Sequence, residues 1–157
     1  MSRVTLRACI IALTLITSLP SKALTQDTKF RAYNADPIVI SSQIRLALQH
    51  EQRAMELIAD AAASPEKMAL TKATVYEAYV LVRFAVGGVR QAQSKRKFPD
   101  PTLPTQIELM EKARADLRQC LTDLERVGTG QVNRLEHARG YLESSITTLD
   151  SVTVYLP

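Results

Sequence analysis

Between residues 37 and 157 the apolar side chains recur every three to four positions. Nowhere in the chain is there a sustained every-second-residue alternation bounded by hairpin turns, as a half-buried strand would show. Three breaks divide the pattern: Ser64-Pro65, the run Phe98-Pro99-Asp100-Pro101-Thr102-Leu103-Pro104 with three prolines in seven residues, and Gly128-Thr129-Gly130. Four amphipathic segments joined by short breaks can bury their stripes only against one another. The predicted fold class is therefore all-α, a four-helix up-down-up-down antiparallel bundle over residues 37–157. At 157 residues, 46% hydrophobic and 23% charged, the chain has the makings of one such core, and its two cysteines exclude a disulfide scaffold.

The first predicted helix runs from about Pro37 or Ser42 to Ala63, with Asp36-Pro37 as its cap. Ile44, Leu48, Met55, Ile58 and Ala62 form its stripe. The second starts at Ser64-Pro65-Glu66 and reaches about Gln93, with Gly87-Gly88 as a kink or an early end, and Lys95-Arg96-Lys97 follows it. The third opens after the proline-rich connector on Thr105-Gln106-Ile107-Glu108, the pattern of a capping box. Its stripe is Met110, Ala113, Leu117, Cys120, Leu121 and Leu124, and Gly128 closes it in a left-handed conformation. The fourth runs from about Gly130 to the C-terminus on Leu135, Leu142 and Leu149, flanked by Val132, Ile146 and Val152.

Residues 1–23 read as a cleaved signal peptide. Arg3 and Arg7 precede an apolar run of 12 residues from Ala8 to Leu19, Pro20 ends it, and Ser21-Lys22-Ala23 supplies small residues at a cleavage site. The run is short of the roughly 20 residues that span a bilayer, so no membrane span is expected in the mature chain. Leu6-Arg7-Ala8-Cys9 precedes the apolar run and does not form a lipidation box. Residues 24–36 read as a polar extended arm carrying Phe30 and Tyr33. The chain is thus expected in the periplasm or outside the cell.

The formal charge of +4 includes Arg3, Arg7 and Lys22 of the leader. Without them 17 basic residues face 16 acidic ones, a balance that offers no field for nucleic acid.

The chain lacks the spacings that carry common chemistries. Only two histidines occur, His50 and His137, at roughly 110° and 140° from their helices' apolar directions, so both are expected to face solvent. There is no Glu-x-x-His pair, no Cys-x-x-Cys, no His-Glu-x-x-His, no phosphate loop and no Gly-x-Ser-x-Gly elbow. No cofactor, no metal site and no catalytic set is expected, and the chain does not read as an enzyme. Cys120, left alone once the leader is gone, falls on an apolar face and reads as a buried small hydrophobe. Glu51 falls inside the first stripe and is expected either at its edge or paired with Arg139. An interior pocket near Glu51, Met55 and Met110 for a small ligand or a metal is the alternative functional reading, and Glu51 beside a cavity would be the starting point for any catalysis.

The second helix has two apolar faces. Val75, Ala78, Tyr79, Val82, Val86 and Val89 make one, and Ala69, Ala73, Tyr76, Val80 and Phe84 make another roughly 160° away. A bundle helix needs one. The second face, with Tyr76, Val80 and Phe84 at its centre, is expected to meet a protein partner or a second copy of the chain as a homodimer, unless the arm covers it through Phe30 and Tyr33.

Overall fold

A buried position every third or fourth residue is the rule by which this chain packs. In the structure, a computed structural model that describes residues 33–95 and 101–152, four helices carry it: α1 (Pro37–Ile58), α2 (Pro65–Lys95), α3 (Leu103–Gly128) and α4 (Arg134–Asp150). A single 3-10 turn, Ala61–Ala63, lies between α1 and α2, and no strand occurs among the described residues. The proposed leader, most of the arm including Phe30, the charged pair Arg96-Lys97 and the last five residues lie outside the described residues. Each helix packs on its neighbour in the chain, and α1 also packs on α4, so the four enclose one core. No described helix is long and apolar enough to cross a membrane.

The buried positions step by alternating fours and threes. In α1 they are Ile40, Ile44, Ala47, Glu51, Ala54 and Ile58, and in α4 Ala138, Leu142, Ser145 and Leu149. Met110, Ala113, Leu117, Cys120, Leu124 and Val127 do the same in α3. In α2 the seam is Met68, Thr71, Val75, Ala78, Val82, Ala85 and Val89. This 3.5-residue period is the seam of helices packed knobs-into-holes, as in four-helix bundles. It rotates the α1 stripe from the sequence expectation. Ala47 and Ala54 face inward, Leu48 and Met55 are only half-buried, and Ala62 is exposed on the 3-10 turn. Small alanines on the seam let the helices approach, and the larger Leu48 and Met55 cover its edge. Each fully buried Leu or Ile contributes about 1.5–3 kcal/mol relative to exposure.

The helix ends explain the boundaries. The Asp36 carboxylate accepts from the Ile38 amide at 2.8 Å and Pro37 takes the first helical position, the expected cap. The Ser64 hydroxyl accepts from the Lys67 amide at 3.2 Å at the head of α2. Two expectations fail. First, α3 starts at Leu103 and not at Thr105, so Thr105 and Glu108 are exposed within its opening turns and form no cap. Burial of Leu103, at 1% exposure, together with a Pro104 that needs no amide partner in the first turn, draws the start of the helix upstream. Second, Gly128 is the last helical residue and Gly130 takes the left-handed conformation, with φ 99°. Its amide donates to the Val127 carbonyl and that of Gln131 to Arg126, each at 3.0 Å, which is a Schellman closure. That closure delays α4 to Arg134 and leaves Val132 exposed.

Gly87-Gly88 neither ends nor breaks α2, which runs on to Lys95. The pair makes room instead. A Cβ on Gly87 would enter the Tyr33 ring, and one on Gly88 would lie 2.5 Å from the Asn34 carbonyl oxygen and 2.8 Å from the Ile40 side chain. The contrast with Gly140, exposed within α4 and with nothing near its missing Cβ, yields a paired prediction. Gly88→Val should destabilise the fold by about 1–3 kcal/mol through overpacking against backbone, while Gly140→Ala should stabilise it by roughly 0.5–1 kcal/mol. Urea unfolding of the two variants checks both signs.

Candidate functional site

Two places combine unusual chemistry with defined geometry: the outer face of α2 and the core around Glu51. On α2, residues opposite the seam are left over once the core is filled. Ala69 and Ala73 are exposed, Tyr76 is 43% exposed, and Val80 and Phe84 are half-buried. Tyr76 stacks on Tyr79 one turn along, with ring centroids 6.2 Å apart and planes at 26°, and Tyr79 in turn packs on the core. Such a pair holds an exposed ring in a fixed orientation. Leu70, also exposed, adjoins this face. At the other end Tyr33 meets Phe84 edge-on at 6.1 Å and lies over Gly87. The structure therefore divides the sequence-predicted trio: Phe84 is partly covered by the chain's own Tyr33, while Tyr76 stands clear at the surface.

Beside Tyr76, Glu77 reaches α1, where its carboxylate lies 3.1 Å from His50 Nδ1. His50 is thus half-buried and engaged, contrary to its expected place in solvent, because α1 and α2 pack closely enough to bring the pair together. His137 is exposed, as its angle predicts.

Glu51 occupies a seam position of α1 and is fully buried. Its Oε1 lies at hydrogen-bond distance, 3.0 Å, from the Ser145 hydroxyl oxygen of α4, and its Oε2 has no hydrogen-bond partner. Pairing with Arg139 does not occur, because Arg139 points outward and donates to Glu143 at 3.0 Å, one turn along α4. Desolvation pushes the Glu51 carboxyl up to about 8. The Ser145 hydrogen bond opposes that shift, and the negative charge of Asp116 adds to it. At neutral pH Glu51 is accordingly a neutral acid. Asp116 itself accepts from Ser144 at 2.7 Å. Cys120, also on the α3 seam, is fully buried. Burial, Asp123 and Glu51 together push its thiol up to about 12, so it is protonated and unreactive at neutral pH.

Met110 is buried in α3 and Met55 is half-buried at the edge of α1. A surface pocket of about 160 Å³ is lined by Ile44, Arg45 and Leu48 of α1 and by Leu149 and Asp150 of α4. It includes none of Glu51, Met55 and Met110. Among the described residues no three His, Cys, Asp or Glu side chains converge as ligands for a metal ion.

Ser145 is the participant that sequence reasoning missed. It lies three residues after Leu142 and four before Leu149, the same spacing that marks Glu51 as a seam position. A polar residue inside an apolar stripe was the available signal.

The Cys120 assignment can be checked directly. The native protein should leave its only cysteine outside the proposed leader unlabelled by a thiol reagent at pH 7, and denaturant should expose it stoichiometrically. Labelling of the native protein at the rate of a free thiol would contradict a closed core at α3.

No family model, no curated protein and no solved structure matches the chain.

Proposed function

We propose that this chain is an exported helical-bundle protein that acts by protein–protein contact, through the outer face of α2, with a partner or with a second copy of itself. The observation that carries the reading is Tyr76, 43% exposed and braced by Tyr79 on the face opposite the core. Bundle architecture accounts for one apolar face of α2 and leaves the strip Ala69, Ala73, Tyr76 and Val80 without a role inside the fold. Aromatic residues on an otherwise small-residue strip provide contact area at little conformational cost, which is the composition that interfaces favour.

Export is supported by the leader-like residues 1–23 and by the near balance of charge that remains without them. An up-down-up-down course is supported by the short connections and by the packing of each helix on its chain neighbour. A binding role rather than a catalytic one is supported by the position of Glu51, whose carboxyl is sealed from any substrate in solution.

The test is a photo-crosslinking residue placed at position 76 of the full chain, together with the variant Tyr76→Asp. Crosslinks from position 76 to a defined protein, or to a second copy, are the expected result. Tyr76→Asp should abolish that association, read as solution mass by light scattering or as partner capture, while leaving the helical circular dichroism unchanged. An unchanged solution mass with no specific crosslink at position 76 would sink the reading.

A further inference from the structure

Glu51 and Ser145 pose a counting problem in hydrogen atoms. The Ser145 Oγ lies 3.0 Å from Glu51 Oε1 and 3.3 Å from the Ala113 carbonyl oxygen of α3, and both neighbours are acceptors if Glu51 is ionised. A hydroxyl has one proton and cannot donate to both. A protonated Glu51 resolves the conflict, since its O–H can donate to Ser145 Oγ while the Ser145 O–H donates to Ala113. The chain of donors then runs from α1 through α4 to α3. Ionisation breaks it and leaves a fully buried anion with one oxygen already unpartnered.

We propose that Glu51 is a pH-sensitive lock built into the bundle: as a neutral carboxyl it closes a relay across α1, α4 and α3, and its ionisation loosens the core around Cys120. This device is separate from the α2 face and does not depend on it.

The causes of the Glu51 shift, burial, Ser145 and Asp116, include no cation. From α3, Asp116 acts on Glu51 and disfavours its anion, while Cys120 stays a neutral thiol over the same range. The other buried acid of α3, Asp123, is paired with Arg126 at 3.3 Å and Arg134 at 3.9 Å. The buried residues of α4 are Ala138, Leu142, Ser145, Thr148 and Leu149, none of them ionisable. Those of α2 are apolar apart from two threonines, Thr71 and Thr74, whose hydroxyls donate to carbonyls of their own helix.

The sign follows from the raised pKa of the folded state. Below about 4.5, the ordinary value, both folded and unfolded chains hold the proton and the lock is fully effective. As pH rises the unfolded chain ionises first, stability falls, and the loss is complete just above the folded value of about 8. Between pH 6 and pH 9 this one group should raise the unfolding constant on the order of a hundredfold.

The experiment uses the full chain, its Glu51→Gln variant and a carbon-13 label on glutamate carboxyls. One glutamate carboxyl should titrate near pH 8 in the wild type and be missing from the variant. The urea unfolding constant of the wild type should rise about a hundredfold from pH 6 to pH 9 relative to that of Glu51→Gln. Labelling of Cys120 should rise by the same excess, the variant supplying the thiol's own pH dependence. All glutamate carboxyls titrating below pH 6 would overturn the proposal without any variant being needed. So would identical pH profiles for wild type and Glu51→Gln. If Glu51→Gln does not fold, the wild-type carboxyl titration alone decides.

Discussion

One buried acid sets the terms for this bundle. The alternation of threes and fours that lets four helices interlock puts position 51 in the seam, and the chain places a glutamic acid there with no cation to neutralise it. A fully buried carboxylate in such surroundings would cost several kcal/mol, so the group keeps its proton. The same region then pushes Cys120 in the same direction, since a thiolate beside two acids in an apolar core is still less favourable. Glu51 and Ser145 are thus a polar, uncharged contact at neutral pH inside an otherwise apolar core.

The amino-acid pattern revealed the helix count, the Asp36 and Ser64 caps and the burial of Cys120, because each rests on local chemistry or on simple periodicity. It misplaced the start of α3 and the glycine that ends it. The Thr105–Glu108 pattern is a genuine local preference, but it competes with burial of Leu103, and a cap worth about 1 kcal/mol yields to the packing of a large side chain. Gly128 and Gly130 lie two residues apart, and only the run of carbonyl bonds settles which of them turns left-handed. The fate of Glu51 was half legible. Its place in the stripe could be read from spacing, but its partner could not, because Ser145 is 94 residues away and the helix pairing is not written in either local sequence.

α2 differs from the other helices in what its second face is for. At Gly87-Gly88 it gives up side chains so that Tyr33 and the Asn34 backbone can lie against it, and the Tyr33 ring leans on Phe84. That part of the face is occupied by the chain itself. The part from Ala69 to Val80 is not accounted for by any described contact that closes it, and there the chain places a tyrosine held by a second tyrosine instead of a charged residue. A lysine or glutamate at position 76 would cost the fold little beyond the stacking on Tyr79, about 0.5–1.5 kcal/mol. An aromatic side chain there is explained by what it can touch outside the fold.

The two halves of this picture differ in how they are tied. The helices α1, α3 and α4 are joined through interior polar contacts, Glu51 to Ser145 to Ala113, with Ser144 to Asp116 alongside. The described ionic ties of α2 to its neighbours, His50–Glu77 and Arg90–Glu111, are between partly exposed side chains, where such pairs contribute about 0–1 kcal/mol. Apolar packing along the seam therefore dominates the attachment of α2, and apolar packing is indifferent to pH. The hydrogen bonds from Glu51 through Ser145 to Ala113 depend on one proton. A change of protonation at Glu51 acts first on the three helices that do not carry the exposed aromatic strip, and the surface formed by Tyr76 and its neighbours keeps its shape as long as α1 remains packed beneath α2.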